Sequence, residues 1–288
     1  MDLDDFKESS NVEDRRSSRG GFGGGINFRS LIMLAPVIKF LLRSKFGWAI
    51  LAVGAFFYFS GVNPLSQAGG SSGVSSNDDK KATFIKKVLA TTEEVWSKIL
   101  PKYGMRYQKP KLVLYRGHTT SGCGFASAQM GPFYCPADQK VYIDLGFFDE
   151  LAKRHNAPGD FAQAYVLAHE IGHHIQNLQG TLQQVQQIQQ RFGNSPKANA
   201  LQVRVELQAD CYSGVWAHHA QKRFRVLEPG DIEEALRAAS SIGDDTLQKQ
   251  TQGSVVPDSF THGSSRQRVE WFKRGFLSGD LRTCNTFN

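Results

Sequence analysis

The stretch from Phe161 to His173 reads FAQAYVLAHEIGH, an apolar run that carries two histidines and one glutamate. Its apolar residues and the absence of proline predict a buried helix. His169 and His173 lie four residues apart and therefore on one face of that helix, where both imidazoles can bind one zinc ion. Glu170 leaves the ligand face, so we expect it to act as general base towards a zinc-activated water.

A second predicted helix supplies a third ligand. Glu206 lies in the sequence RVELQAD, and Asp210 lies one turn further along the same face. We interpret Glu206 as the third zinc ligand and Asp210 as the acceptor for the free N–H of a ligand histidine. Solvated helix charges are the alternative, although the apolar neighbours indicate a buried helix, where unpaired carboxylates are costly. If Glu206 were not a ligand, His218 or His219 would be the alternative third zinc ligand.

The 288 residues are enough for one sizeable domain with appendages. Residues 1–30 are polar and glycine-rich, and we expect them to be disordered and cytoplasmic. Residues 31–62 form the predicted membrane anchor, with an uninterrupted apolar run at 46–62 near the minimum length for one transmembrane helix. Residues 63–78 are typical of a glycine- and serine-rich linker, and residues 79–288 form the predicted zinc metallopeptidase domain.

Basic residues are distributed asymmetrically around that apolar run. Lysines and arginines, without acidic residues, lie between Arg15 and Lys45, and on the far side the next one is Lys80. This bias predicts a single-pass inner-membrane protein with a cytoplasmic N-terminus and a periplasmic, extracytoplasmic domain. A cleaved signal peptide and a buried core helix are the alternatives. The net charge of +7 is not gathered in a basic patch with aromatic residues, so we expect no nucleic-acid partner.

The fold is expected to be α+β and mainly helical, with a small sheet beside the two metal-bearing helices. A first helix should end before Pro101, and short strands are predicted at 111–115 and 140–145. The second strand could be a sheet edge to which an extended peptide adds, with a core strand as the alternative. Further helices are predicted at residues 160–178, 181–192, 196–224, 231–250 and 264–277.

These motifs resemble the neutral zinc metallopeptidase family of bacterial membrane-anchored proteins, and HExxH followed by ExxxD resembles the gluzincin group. The resemblance covers essentially the whole chain, including the apolar N-terminal run. It implies a zincin-like, zinc-dependent peptidase domain. The stretches that carry it are NVEDRR at 11–16, CGFA at 123–126, GPFYCP at 131–136, HEIGHH at 169–174, ELQADC at 206–211, THGSS at 261–265 and QR at 267–268.

His262 and Arg268 are two further candidate residues of the zinc site. His262 precedes a predicted helix, and similar Thr-His segments in related membrane metallopeptidases lie beside the metal. We therefore expect His262 to stabilise the oxyanion of the transition state, with a helix-capping loop histidine as the alternative. Arg268, on the following helix, is expected to pair with Asp210 or Glu206, with an ordinary surface arginine as the alternative.

The four cysteines are not spaced as CxxC, so a structural zinc knuckle is not indicated. Their even number in one region fits two disulfides in an oxidising compartment. We favour Cys123 with Cys135, across a glycine-rich loop, and Cys211 with Cys284, which would tie the C-terminal tail to the Glu206 helix. Free buried thiols are the alternative.

The sequence therefore predicts a membrane-anchored zinc metallopeptidase, a hydrolase of peptide or protein substrates that binds one zinc ion. One alternative is a non-catalytic, zinc-binding, membrane-tethered partner or quality-control protein of the same fold. Glu170 argues against it, because a purely structural site needs no general base. Another alternative is a zinc hydrolase of cell-wall amides, although no cell-wall binding module is evident in the sequence.

Overall fold

The computed structural model describes residues 1–17 and 75–287. Within these ranges no helix is both long and apolar enough to cross a membrane. The predicted anchor at 31–62 and most of the predicted linker at 63–78 lie outside the described residues. Met1–Arg16 belongs to the same compact unit as the residues from Ser75 onward.

The described part of the chain is mainly helical with two small sheets, which agrees with the expected α+β class. The helices are α1 (Ser76–Ile99), α2 (Gly146–Lys153), α3 (Asp160–Leu178), α4 (Thr181–Phe192), α5 (Pro196–Phe224), α6 (Asp231–Ser241), α7 (Asp244–Gln252) and α8 (Ser265–Ser278). The strands are β1 (Val12–Asp14), β2 (Lys111–Tyr115), β3 (His118–Ser121), β4 (Gly124–Ser127), β5 (Phe133–Cys135) and β6 (Lys140–Asp144).

The larger sheet has the strand order β1-β2-β6-β5. Strands β1, β2 and β6 are parallel, and β5 runs antiparallel to β6. Because β6 has a neighbour on both sides, the suggestion that this strand is a free sheet edge is wrong, and the core-strand alternative holds. Strands β3 and β4 form a separate antiparallel hairpin.

The N-terminal segment corrects the expectation of disorder for residues 1–17. Val12–Asp14 extends the sheet beside β2, and Met1 and Leu3 are buried. The α-ammonium of Met1 lies 2.9 Å from a carboxylate oxygen of Asp160, the first residue of α3. Low hydrophobicity does not lead to disorder in this segment. Backbone hydrogen bonds to a distant strand and a few buried side chains offset the entropy that is lost when the segment becomes ordered.

This segment ends beside the start of α1. Nη1 of Arg16 lies 3.0 Å from Oδ1 of Asp79, and its Nη2 lies 2.7 Å from Oδ2 of Asp14. Helix α1 begins at Ser76, where the Ser75 side chain accepts a hydrogen bond from the Asp78 N–H. The folded unit therefore resumes slightly before the predicted boundary at residue 79.

The predicted helices at 160–178, 181–192 and 196–224 are confirmed with the same bounds. The predicted helix at 231–250 is instead two helices, α6 and α7, which are separated by Ile242 and Gly243. A Cβ atom on Gly243 would lie 2.4 Å from the backbone nitrogen of Ser265. Glycine therefore lets the chain pass the start of α8, and this break sets Asp244 at the N-terminus of α7.

Candidate metal centre

His169 and His173 on α3 converge with Glu206 on α5. Nε2 of His169 lies 3.1 Å from Oε2 of Glu206, and Nε2 of His173 lies 3.5 Å from the same oxygen. One ligand atom from each of the three residues lies within 4.8 Å of the other two. Two imidazole nitrogens and one carboxylate oxygen form a donor set found in catalytic zinc sites. The residues present therefore fit a zinc ion.

The close approach of α3 and α5 depends on the glycine inside the histidine motif. A Cβ atom on Gly172 would lie 3.0 Å from both the Cα atom and the carbonyl oxygen of Ala209. A larger residue at either position would push the two helices apart. Glu206 would then move away from His169 and His173.

Asp210 orients His169, as expected from its position one turn after Glu206. Oδ1 of Asp210 lies 2.9 Å from Nδ1 of His169, and the carboxylate is fully buried. An ionised carboxylate only accepts hydrogen bonds, so His169 donates from Nδ1. Its Nε2 is then available to a metal.

Arg268 and Tyr165 complete the surroundings of Asp210. Nε of Arg268 donates to Oδ2 of Asp210 at 2.9 Å, and Nη2 donates to Oδ1 at 3.0 Å. Arg268 is only 2% exposed, which excludes the alternative of a surface arginine. The Tyr165 hydroxyl also donates to Asp210. Tyr165 was not anticipated from the sequence, although its position four residues before His169 placed it on the ligand face.

The charges around the ligands stabilise a cation. Burial disfavours the ionised form of Asp210, yet the charges of Arg268 and His169 lower its pKa to about 2. Burial also disfavours a charged His169, but Asp210 and then Glu206 raise its pKa to about 10. Despite burial, His173 and His169 hold the pKa of Glu206 well below its usual range. A metal cation would be stabilised by the same carboxylates.

The other two ligands are each oriented by a glutamine. Nδ1 of His173 lies 2.9 Å from Oε1 of Gln176. Nε2 of Gln202 donates to Oε1 of Glu206 at 2.9 Å, which leaves Oε2 towards the histidines. Neither glutamine was anticipated from the sequence, although each lies within one helical turn of the ligand that it contacts.

Glu170 lines a cleft of about 910 Å³ that also contains the three ligands. It is 8% exposed, and no hydrogen bond from another described residue holds its carboxylate. Apolar and amide side chains form much of the remaining wall. They include Met130, Phe133, Leu182, Val185, Gln129, Gln186, Gln189 and Gln250.

His262 lines the same cleft, and Asp244 holds it there. Oδ2 of Asp244 accepts the backbone N–H of His262 at 2.6 Å, and Oδ1 lies 3.2 Å from the His262 Nδ1. The same Oδ2 accepts the N–H groups of Thr261 and Gly263. Burial opposes ionisation of Asp244, but its hydrogen bonds with His262 lower its pKa.

Helix α8 is not capped by His262. Its N-cap is Ser264, which forms a capping box with Gln267. His262 therefore lines the cleft and is not the capping residue of this helix. Asp244 could not be predicted as a site residue, because the hydrophobic periodicity of the sequence does not show the break between α6 and α7.

The two histidines named as replacements for Glu206, and His174 beside the ligand His173 in sequence, have other partners. Nδ1 of His218 faces the Phe276 carbonyl, and Nε2 of His219 faces the Gly279 carbonyl, each at 2.8 Å. His174 contacts the Tyr134 hydroxyl at 3.0 Å, and burial lowers its pKa to about 4. The structure brings none of them to Glu206.

Both favoured cysteine pairs are disulfides. Cys123–Cys135 joins the turn between β3 and β4 to the edge strand β5, which borders the cleft. Cys211–Cys284 joins α5 to the C-terminal segment, starting one residue after Asp210. No cysteine is free.

Known proteins bear out the resemblance seen in the sequence. The family model described as "Putative neutral zinc metallopeptidase" matches residues 1–287. The chain belongs to this family. It is 51% identical over 290 residues to "Uncharacterized protein YpfJ" of Escherichia coli (strain K12), covering 98% of this chain and 96% of the relative. It is also 44% identical over 215 residues to "Uncharacterized protein Rv2575" of Mycobacterium tuberculosis (strain H37Rv), covering 70% of each. No solved structure matches the chain.

Proposed function

We propose that this family member is a zinc metallopeptidase that hydrolyses peptide bonds in the cleft. The observation that carries the proposal is the convergence of His169, His173 and Glu206, with Glu170 beside them on the cleft wall. Three protein ligands leave a coordination position free, as catalytic zinc sites require. When bound, zinc would supply a Lewis acid that makes water a stronger acid and polarises a carbonyl.

Glu170 is the proposed general base and then general acid. It follows a ligand directly in sequence, and no described residue occupies its carboxylate by a hydrogen bond. It can therefore accept the proton of the attacking water without first breaking an ion pair. The same carboxylate would return the proton to the leaving amine nitrogen.

His262 is proposed to stabilise the oxyanion. Its Nδ1 faces a carboxylate oxygen of Asp244, which favours a proton on Nδ1. A neutral ring with that proton would have no hydrogen on Nε2, so only the imidazolium could donate to an oxyanion from Nε2. Asp244 would orient the ring and fix the loop that carries it.

The proposed substrates are peptides or proteins. Amide side chains along the cleft can hydrogen-bond an extended backbone, and the apolar side chains can contact its substituents. A cell-wall amide shares the scissile bond, and a non-catalytic zinc protein shares the fold. These two alternatives are separated by the activity test below.

We also propose an extracytoplasmic location for the site, with both ends of residues 18–74 on that side of the membrane. Two disulfides in one domain are typical of an oxidising compartment. Strand β1 pairs with β2, and Arg16 contacts Asp79. A single crossing within residues 18–74 would put these partners on opposite sides, so this proposal replaces the single-pass orientation.

Impermeant thiol labelling tests that orientation in spheroplasts. Glu8→Cys and Lys273→Cys place a thiol on exposed positions of the N-terminal segment and of α8. Both should be labelled without lysis. Labelling of Glu8→Cys only after lysis would instead support a cytoplasmic N-terminus and a single crossing.

Purified full-length protein tests the enzymatic proposal. The wild type should bind one zinc ion and cleave members of a broad peptide library, whereas Glu170→Gln should retain zinc and lose activity by a factor of about 10²–10⁴ or more. Glu94→Gln, on the exposed side of α1, is the matched control. Zinc-loaded wild type that cleaves no peptide would favour the non-catalytic alternative, and cleavage of cell-wall amides alone would favour the other.

A further inference from the structure

Side-chain amides connect the ligand His173 to the C-terminal segment. Oε1 of Gln176 lies 2.9 Å from Nδ1 of His173. Nε2 of Gln176 donates to the Val205 carbonyl at 2.7 Å and to Oε1 of Gln208 at 3.0 Å. Nε2 of Gln208 donates in turn to the Cys284 carbonyl at 3.1 Å. We call Gln176 and Gln208 the glutamine relay.

The hydrogen bonds of the relay have a defined direction. A backbone carbonyl only accepts, so the NH₂ group of Gln208 faces Cys284 and its Oε1 faces Gln176. The NH₂ group of Gln176 then faces Val205 and Gln208, and its Oε1 faces His173. Nδ1 of His173 must therefore carry the hydrogen, which leaves the Nε2 lone pair for a metal.

Burial makes this direction costly to reverse. Gln176 is completely buried and Gln208 is 7% exposed, so water has little access to either amide. Turning one amide round would bring two acceptors or two donors together. Each buried polar group left unsatisfied in this way destabilises the reversed arrangement.

The last acceptor of the relay is fixed by covalent and hydrogen bonds. Cys284 is joined to Cys211 on α5. Two residues further on, the Thr286 hydroxyl donates to the Arg204 carbonyl at 2.7 Å. The C-terminal segment is thus held against the helix that carries Glu206.

We propose that Gln176 and Gln208 are positioning residues that couple the zinc affinity of His173 to the C-terminal segment. The Cys211–Cys284 disulfide maintains this coupling by holding the Cys284 carbonyl in place. The inference rests on the proposed zinc site, but it does not require peptidase activity. Its test is therefore a measurement of zinc binding.

The experiment compares zinc affinities of full-length variants by competition with a chromophoric chelator. Gln176→Leu should weaken zinc binding by about 10–100-fold, the usual effect of losing an outer hydrogen-bond partner of a ligand histidine. Gln208→Leu, and the pair Cys211→Ala with Cys284→Ala, should each weaken it by a smaller factor. Combining Gln208→Leu with the cysteine pair should add little, because both break the same connection.

Gln163→Leu is the matched control, because it makes the same substitution on α3 without contact to a ligand. It should leave zinc affinity unchanged. Histidine-selective ¹⁵N NMR of the zinc-loaded protein gives a readout that altered packing alone would not imitate. The Nδ1–H signal of His173, assigned from its loss in His173→Gln, should exchange slowly in the wild type and rapidly in Gln176→Leu.

Three outcomes would overturn the inference. The first is a folded Gln176→Leu variant that binds zinc as tightly as the wild type and keeps the slow His173 signal. The second is an equal loss of affinity in Gln163→Leu, which would indicate general loosening of α3. The third is normal affinity in both Gln208→Leu and the cysteine variant, which would remove the link to the C-terminal segment. A protein that binds zinc as described yet cleaves nothing would contradict the proposed function alone.

Discussion

Asp244 holds His262 by two different parts of that residue, its backbone N–H at 2.6 Å and its Nδ1 at 3.2 Å. The carboxylate is mostly buried, whereas the His262 side chain is 52% exposed in the cleft. A buried acid thus fixes an accessible imidazole. The loop that carries His262 therefore differs from an ordinary surface loop, because a mostly buried carboxylate holds it in place.

Asp244→Ala should lower kcat/KM by about 10–100-fold without releasing zinc, because it leaves the ligands in place and frees the His262 loop. Peptidase kinetics and zinc content measure the two effects. His262→Ala should cause little further loss in the Asp244→Ala background. Fully additive losses would mean that Asp244 does not act through His262. Asp258→Ala, at an exposed position four residues before His262, is the control.

Glu206→Ala should abolish tight zinc binding, because it removes the only carboxylate among the three converging ligand atoms. His219→Ala should bind zinc normally, since its ring faces a backbone carbonyl far along α5. Metal analysis after dialysis distinguishes them. Retention of stoichiometric zinc by Glu206→Ala would require another third ligand.

Arg268→Met should destabilise the protein by about 3–5 kcal/mol, because it leaves the buried Asp210 carboxylate without its charged partner. Chemical denaturation of metal-free protein measures this free energy of unfolding. Arg266→Met, two residues earlier on the exposed face of α8, should change it by no more than about 0.5 kcal/mol. Similar values for the two variants would contradict the structural importance of the Asp210 pair.

Acid should release β1 from the sheet. Hydrogen bonds from Lys140 and Arg15 lower the pKa of Glu13 to about 2, below the unfolded value of about 4.3. A depressed pKa contributes stability that is present above the unfolded value and is lost as the pH falls towards 2. The protection factors for hydrogen exchange at residues 12–16, which are corrected for the intrinsic exchange rate at each pH, should therefore fall between those two values. Glu13→Gln should reduce this pH dependence, and the remainder comes from Asp14, whose pKa is lowered by its hydrogen bonds with Arg16. Glu8→Gln should preserve it.

Replacing Cys123 and Cys135 by serine should raise KM more than it lowers kcat. The disulfide holds the segment that contributes Met130 and Phe133 to the cleft wall, and it contacts no ligand. Zinc content should stay at one ion per chain. Loss of zinc in this variant would show that the loop also supports the metal centre.

The sequence was most informative where the relevant contacts are local. The apolar pattern of α3 and the spacing of His169 and His173 lie within one helix, and the bounds of that helix agree with the prediction. Glu206 could be proposed because its own helix reads as buried. Gln176 and Gln202 could not be singled out, since glutamines at helical spacing are common in surface helices.

The rest depended on contacts between distant parts of the chain. Strand β1 has almost no apolar content of its own, and its partner β2 follows about one hundred residues later. The break before Asp244 depends on the close approach of Ser265. The local sequence around Asp244 contains no signal for that contact. Both features became visible only when the neighbouring backbone was in place.

The parallel pairing of β1 with β2 also governs how this protein can be produced in the laboratory. A fragment that starts at Ser75 would lack a strand of its own sheet and would expose the backbone edge of β2, which invites association with other chains. The N-terminal strand, conversely, has no partner until Lys111–Tyr115 has been synthesised. A shortened version of the protein should therefore keep residues 1–17 and join them to Ser75 by a short linker.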